Sequence, residues 1–232
     1  MNDDHSYVFP ALPRPNLPVR GTHKLFPVHR IYCVGRNYAD HAIEMGHNPA
    51  REPPFFFQKN PDNLVAGGGV FPYPDKSSDV HYELEMVVGL AKGGRCISPE
   101  QALQHVYGYA VGLDMTRRDL QAEAKKLGRP WDVGKAFDHS APCSQIAPVS
   151  EIGHPDSGAV RLFVNGALKQ NGDLEQMIWK VPQMIAILSE YFELKPGDLI
   201  FTGTPAGVGP VKRGDVLEGS VDGVGELRVT VG

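Results

Sequence analysis

His81-Tyr82-Glu83-Leu84-Glu85-Met86-Val87-Val88-Gly89 is an apolar run that carries two carboxylates and closes on a glycine. It reads as a β-strand. Successive side chains on a strand point to opposite faces, so Glu83 and Glu85 share one face about 7 Å apart, while Tyr82, Leu84 and Met86 share the other. Two like charges side by side on a core strand repel. Such a pair persists if a cation sits between the carboxylates, if one stays protonated, or if both face water. The first case makes the strand a metal site and the last makes it a solvated edge. The segment by itself leaves these open, so the rest of the chain has to decide.

Working upstream, Arg30-Ile31-Tyr32-Cys33-Val34-Gly35 is a second apolar run ending in glycine, hence a buried strand. Residues 37–46 read as a short helix stopped by Gly46. The polar, proline-containing stretch 46–54 is expected to be a mobile loop, followed by a strand at Phe55-Phe56-Phe57-Gln58-Lys59. Residues 61–78, with Gly67-Gly68-Gly69 and several prolines, read as a long irregular connection. Residues 1–25 carry Pro10, Pro13, Pro15 and Pro18, which suits an extended arm or short edge strand.

Downstream, Ser98-Pro99-Glu100-Gln101 predicts a capped helix ending near Tyr107. The next strand runs from Val106 and delivers Asp114 at its C-terminal end. Thr116 is placed to cap a helix over 117–127, closed by Gly128 and Pro130, and residues 131–145 read as loop. Val160 to Val164 followed by Asn165-Gly166 signals a hairpin. Residues 182–192 form the clearest amphipathic helix, with Ile185, Ile187, Leu188 and Phe192 as core candidates. The remainder is strand and turn. The pattern predicts one mixed α+β domain, mainly β, over 26–232, with a short N-terminal arm over 1–25.

Composition narrows the function classes. The 232 residues are 41% hydrophobic and 22% charged, ordinary for a globular protein. A net charge of −4 with no basic run argues against nucleic acid as a partner. Cys33, Cys96 and Cys143 are far apart and form no CxxC pair, which points to a reducing compartment and to neither a disulfide framework nor a zinc cage. The acidic start Met1-Asn2-Asp3-Asp4 lacks a signal-peptide core, and no apolar run spans a bilayer. A cytoplasmic protein is expected.

Glu83, Glu85 and Asp114 sit at or near strand ends, with no histidine or cysteine at ligand spacing. An all-oxygen set favours Mg²⁺ or Mn²⁺ over zinc, and Mg²⁺ would keep about three positions for water or a chelating 2-oxo acid. His41 and Glu44 are three residues apart and neighbours on a helix face. A carboxylate beside an imidazole raises its basicity and suits it to activate water, although out of context a solvated ion pair is the commoner outcome. Lys135 reads as a surface lysine or a positioned cation. Arg118 and Gln121 share a helix face, and Arg118 suits a substrate carboxylate. In Thr202-Gly203-Thr204-Pro205 the backbone N–H groups, including that of Gly203, and the Thr204 hydroxyl suit a carboxylate, whereas the P-loop lysine is missing. Ser140 and Cys143 lack a nucleophile elbow or a base and read as structural.

Taken together, Val34-Gly35-Arg36-Asn37-Tyr38-Ala39-Asp40-His41 with Glu44, Pro54 to Phe57 with Lys59, Tyr82-Glu83-Leu84-Glu85, Asp114 through Gln121, Gly134 to Asp138, and Leu199 to Pro205 with Gly207-Val208-Gly209 resemble the fumarylacetoacetate hydrolase family. The matches run in order from about residue 27 to the C-terminus. The resemblance implies curled mixed β-sheets, a homodimer, and a divalent ion on Glu83, Glu85 and Asp114. It also implies a His41–Glu44 dyad on a segment that orders over substrate, with Lys135, Gln121 and Thr204 holding an oxo acid. The stretches 119–131 and 137–142 are most similar to the branch that cleaves 3-fumarylpyruvate. Expected chemistry is hydrolysis of a C–C bond in a 2,4-dioxo acid. Alternatives are cleavage of other acylpyruvates, decarboxylation of oxaloacetate, and a non-catalytic oxo-acid or metal-binding protein.

Overall fold

The structure is a computed structural model that describes residues 7–44 and 53–232. Its centre is an eight-stranded mixed sheet. Neighbours in order are Phe55–Lys59, Ile31–Gly35, Leu199–Phe201, Leu84–Leu90, Val106–Leu113, Ala141–Cys143 and Leu64–Ala66, with Ala147–Pro148 paired on Val106–Leu113. A five-stranded sheet runs Ala167–Asp173, Ala159–Val164, Val216–Val221, Gly225–Val231, Gly69–Phe71. Val80–Tyr82 joins Thr116–Arg117 and Gly209–Pro210 in a small third sheet. The fold is mainly β with a few short helices, as expected.

The central sheet is buried on both faces, so its strands read as continuous apolar runs. Tyr32, Val34, Met86, Val88, Val111 and Ile200 point into the larger core, against the second sheet and the helix Val181–Tyr191. Ile31, Cys33, Val87, Ala110, Leu199 and Phe201 point the other way, into a smaller core covered by the hairpin Asn16–Pro18/Leu25–Pro27. Leu17 and Val19 of that hairpin are buried, and Ile146 N–H donates to Pro18 O.

Several local expectations are corrected. The single strand expected over 81–89 is two, Val80–Tyr82 in the small sheet and Leu84–Leu90 in the central one, with Glu83 at the break between them. Residues 61–78 hold the strands Leu64–Ala66 and Gly69–Phe71, separated by Gly67 and Gly68 at φ 77° and 81°. The helix after Ser98 is only Pro99–Ala102, without a side-chain cap, and a 3₁₀ turn Leu103–His105 leads into the strand. Thr116 lies in a strand and its hydroxyl donates to Asp114 O, so the helix Arg118–Leu127 starts without its cap. Residues 131–145 contain the helix Asp132–Lys135 and the strand Ala141–Cys143. Gly134 permits that helix to press on Gln121, since a Cβ there would meet Gln121 N at 3.0 Å. The Asn165-Gly166 hairpin forms as expected, with both residues at positive φ. In Val181–Tyr191, Ile185 and Leu188 are fully buried while Ile187 is only partly so, and Phe192 follows the helix and packs against the core. The expected helix near 37–46 is Ala39–Glu44, whereas its stop at Gly46 and most of the loop 46–54 lie outside the described residues. Among the described residues no helix is long and apolar enough to cross a membrane.

Candidate metal centre

Strand register gathers the three carboxylates. Leu84–Leu90 runs antiparallel to Val106–Leu113, with Glu85 opposite Gly112 and Leu84 opposite Leu113. One step further, Asp114 N–H donates to Glu83 O at 2.8 Å. Asp114 therefore lies across from Glu83 and diagonal to Glu85, the spacing at which cross-strand side chains meet. One carboxylate oxygen from each residue lies within 4.8 Å of the others, and all three residues are buried. The solvated-edge reading is excluded.

Cations surround the triad. Lys135 Nζ donates to Glu83 Oε2 at 2.8 Å and to Asp114 Oδ2 at 2.7 Å. Arg118 Nη2 donates to Glu83 Oε1, and its Nη1 donates to Gln121 Oε1 at 2.8 Å. Lys59, a residue the sequence reading left without a role, is buried with Nζ 2.8 Å from Asp114 Oδ1. It also donates to Met115 O and Lys135 O. Its signals in the sequence are a charge closing an apolar strand and its place among the stretches that carry the family resemblance.

These neighbours split the pair of glutamates. Burial alone would raise Glu83, but Lys135, Arg118 and His41 hold it well below the usual carboxylate range. Glu85 is pushed well above that range by burial and by the charges of Asp114 and Glu83. Lys135 is raised, since the pull of Asp114 and Glu83 overcomes its burial. A divalent cation held by these carboxylates would oppose the push on Glu85. The donors fit such an ion: three oxygens and no soft ligand. Asp114 Oδ1 is buried, with the Lys59 ammonium 2.8 Å away.

The other expected residues converge on the same cleft, which is lined by the triad, Arg118, Gln121, Lys135, His41, Gly203 and Thr204. Gly203 N–H donates to Glu85 Oε2 at 2.7 Å. Gly203 has φ 93°, and a Cβ there would meet Asn37 Cβ at 2.7 Å. Both N–H and hydroxyl in this turn are engaged, because Thr204 Oγ1 donates to Leu84 O. Gln170 completes the turn: its Nε2 donates to Thr204 Oγ1 and Pro205 O, and it accepts from Leu84 N–H. Sequence reasoning missed Gln170 because nothing marks a polar residue of a hairpin strand as inward-facing.

His41 sits on the helix Ala39–Glu44, with Nδ1 3.2 Å from Glu44 Oε2. Gly207 N–H approaches both Glu44 oxygens at 3.3 Å. Buried Asn37 fastens the approach to this helix, donating to Thr202 O and Trp179 O and accepting from Trp179 N–H.

Fold and site together define a mainly β protein built to hold a divalent ion at the base of a polar cleft. The model of the Fumarylacetoacetate (FAA) hydrolase C-terminal family matches residues 30–232, and the chain belongs to that family. The fumarylpyruvate hydrolase of Ralstonia sp is 48% identical over 181 residues, 78% of this chain and 94% of that protein. Mitochondrial oxaloacetate tautomerase FAHD1 of Mus musculus is 43% identical, covering 87% of this chain and 90% of its own length. The crystal structure of fumarylpyruvate hydrolase from Pseudomonas aeruginosa in complex with Mn²⁺ and pyruvate superposes with a TM-score of 0.95. It is 50% identical and covers 97% of this chain and 99% of that one.

Proposed function

We propose that this protein is a divalent-metal-dependent hydrolase that cleaves a C–C bond of a 2,4-dioxo acid, 3-fumarylpyruvate being the best candidate. The observation that carries this is the buried Glu83–Glu85–Asp114 triad opening into the same cleft as a His41–Glu44 pair. The likeness to a fumarylpyruvate hydrolase complexed with Mn²⁺ and pyruvate supports it.

Glu83, Glu85 and Asp114 would hold Mg²⁺ or Mn²⁺, which when bound supplies Lewis acidity toward the oxo and carboxylate oxygens of a 2-oxo acid. Lys59, Lys135 and Arg118 already match the three carboxylates in charge, so the loaded site is positive and suits a dianionic substrate. His41, oriented by Glu44, takes a proton from water whose oxygen adds to the distal ketone carbon. The bond between that carbon and the methylene breaks, and the electron pair stays on the methylene. The proton held by His41 returns there, giving pyruvate and a carboxylic acid, here fumarate. Lys135 offsets the negative charge that develops and Gln121 positions the oxo acid, while Gly203 and Thr204, whose donors are spent on Glu85 and Leu84, position it by fixing that wall of the cleft. The reading includes a catalytic unit over 26–232 with an N-terminal arm over 1–25, a cytoplasmic location and a homodimer, the last checked by light scattering after gel filtration.

The name of the Mus musculus relative favours a second reading in which oxaloacetate is the substrate. It needs no activated water. Assays of fumarylpyruvate and oxaloacetate side by side, with Mn²⁺, with Mg²⁺ and with EDTA, separate the two. Fumarylpyruvate cleavage abolished by EDTA is expected; turnover of oxaloacetate alone sinks the hydrolase assignment.

A further inference from the structure

We propose that Gln170 is a positioning residue that sets the spacing of Glu83 and Glu85, and with it the grip of the triad on a divalent ion. This rests on the reading of the triad as a metal site.

Gln170 stands apart from the rest of its strand. Ala167–Asp173 is an edge strand of the five-stranded sheet, and its other residues are exposed or half-buried, whereas Gln170 is fully buried. The register against Ala159–Val164 slips beside it. Leu162 faces Gln170 but Phe163 faces Leu168, so Lys169 is an extra residue on its strand. A bulge of this kind re-aims a side chain. The strand also lies hard against the turn that follows Leu199–Phe201. A Cβ on Gly172 would meet Pro205 Cβ at 2.6 Å, and one on Gly207 would overlap Lys169 O. An apolar residue would fill the buried position at no polar cost, whereas a glutamine there has to make its hydrogen bonds inside the protein.

Those bonds converge on the chain between the two glutamates. Gln170 Oε1 accepts from Leu84 N–H at 3.0 Å, and Nε2 donates to Thr204 Oγ1 and to Pro205 O, both at 2.8 Å. Thr204 Oγ1 in turn donates to Leu84 O at 2.8 Å, so Gln170 and Thr204 together engage both backbone polar groups of Leu84. Leu84 separates Glu83 from Glu85, just past the break between Val80–Tyr82 and Leu84–Leu90. On one side of it Glu83 O accepts from Asp114 N–H, and on the other Glu85 Oε2 accepts from Gly203 N–H, one residue before Thr204. Gln170 therefore fixes the peptide that links two ligands and the turn that aims the second. Groups that orient ligands without touching the ion change metal affinity by about 10- to 100-fold.

The probe is Mn²⁺ alone, its free concentration followed by electron paramagnetic resonance as it is titrated into the full chain. Gln170→Met keeps the side-chain volume and removes all three bonds, and its Kd for Mn²⁺ is expected to rise about 10- to 100-fold. Thr204→Val breaks the same clamp, so the double variant is expected to bind more tightly than the product of the two single losses requires. Val229→Ala, at a fully buried position of the same sheet, is expected to lower the melting temperature and leave the Kd unchanged. Should Gln170→Met not fold, Gln170→Glu takes its place: it keeps an acceptor for Leu84 N–H, loses at least one donor to the turn, and is expected to raise the Kd severalfold. A wild-type Kd in the variant at position 170, single losses that simply multiply, or an equal rise in Val229→Ala overturns the positioning role while leaving the metal site in place. Absence of Mn²⁺ binding by the wild type overturns the metal site and the inference with it.

Discussion

Lys59 ends its strand with a fully buried ammonium 2.8 Å from Asp114 Oδ1. Removing one member of a buried ion pair leaves the other charge uncompensated, at about 3–5 kcal/mol. Lys59→Met is therefore expected to lower stability by about 3 kcal/mol in EDTA. The loss should shrink with saturating Mn²⁺, because the ion then supplies the charge that Asp114 has lost; melts under the two conditions check this. His41 is half of the other pair at the cleft. We expect His41→Ala to lower kcat by about 10²–10⁴ while Mn²⁺ stoichiometry stays at the wild-type value. Steady-state kinetics with metal analysis test it, and an undiminished kcat rules out the base. At this scale the sequence offered Glu83, Glu85, Asp114, His41 and Lys135 as candidates, and the fold brings them to one cleft. Lys59 and Gln170 escaped a role, because each acts through a neighbour remote in the chain.

The helix Arg118–Leu127 carries Arg118 and Gln121 into the cleft, and Asp119 moors its first turn. Asp119 accepts from Ser77 Oγ at 2.7 Å and from the N–H groups of Ser78 and Leu120. Burial acts to raise this carboxyl, but those bonds win and hold it below its ordinary value of 3.8. A carboxyl depressed on folding stabilises the fold above its unfolded pKa, and the contribution is lost as pH falls through the lower folded value. Asp119→Ala should thus melt earlier than wild type at neutral pH, with the gap closing only below about pH 4; melting curves from pH 7 to pH 3 check the sign. Elements with a pattern of their own were legible, such as the Asn165-Gly166 hairpin and the apolar strands. Leu64–Ala66 and Gly69–Phe71 were not. Each is three residues long and is a strand only because Ala141–Cys143 or Gly225–Val231 lies parallel beside it.

Across the whole molecule, the central sheet has apolar cover on both faces, and the triad sits where its strands run out. An ion bound there meets ligands from two strands at once and exists as a site only in the folded chain. Mn²⁺ at a hundredfold over its Kd should then add about 2.7 kcal/mol to stability. The melting temperature should rise with Mn²⁺ and fall back on adding EDTA. A melting temperature indifferent to Mn²⁺ argues against a metal shared between strands.

The amino-acid sequence by itself determined that the chain is mainly β, that two glutamates stand two residues apart at the head of an apolar strand, and that a third carboxylate follows another strand. Those facts follow from side-chain periodicity, a local property of the backbone. Only the tertiary structure decided that Asp114 lies opposite Glu83, that both glutamates are buried, and which cations answer which carboxylates. Register and burial belong to pairs of segments far apart in the chain, and charge compensation depends on distances that no single segment contains.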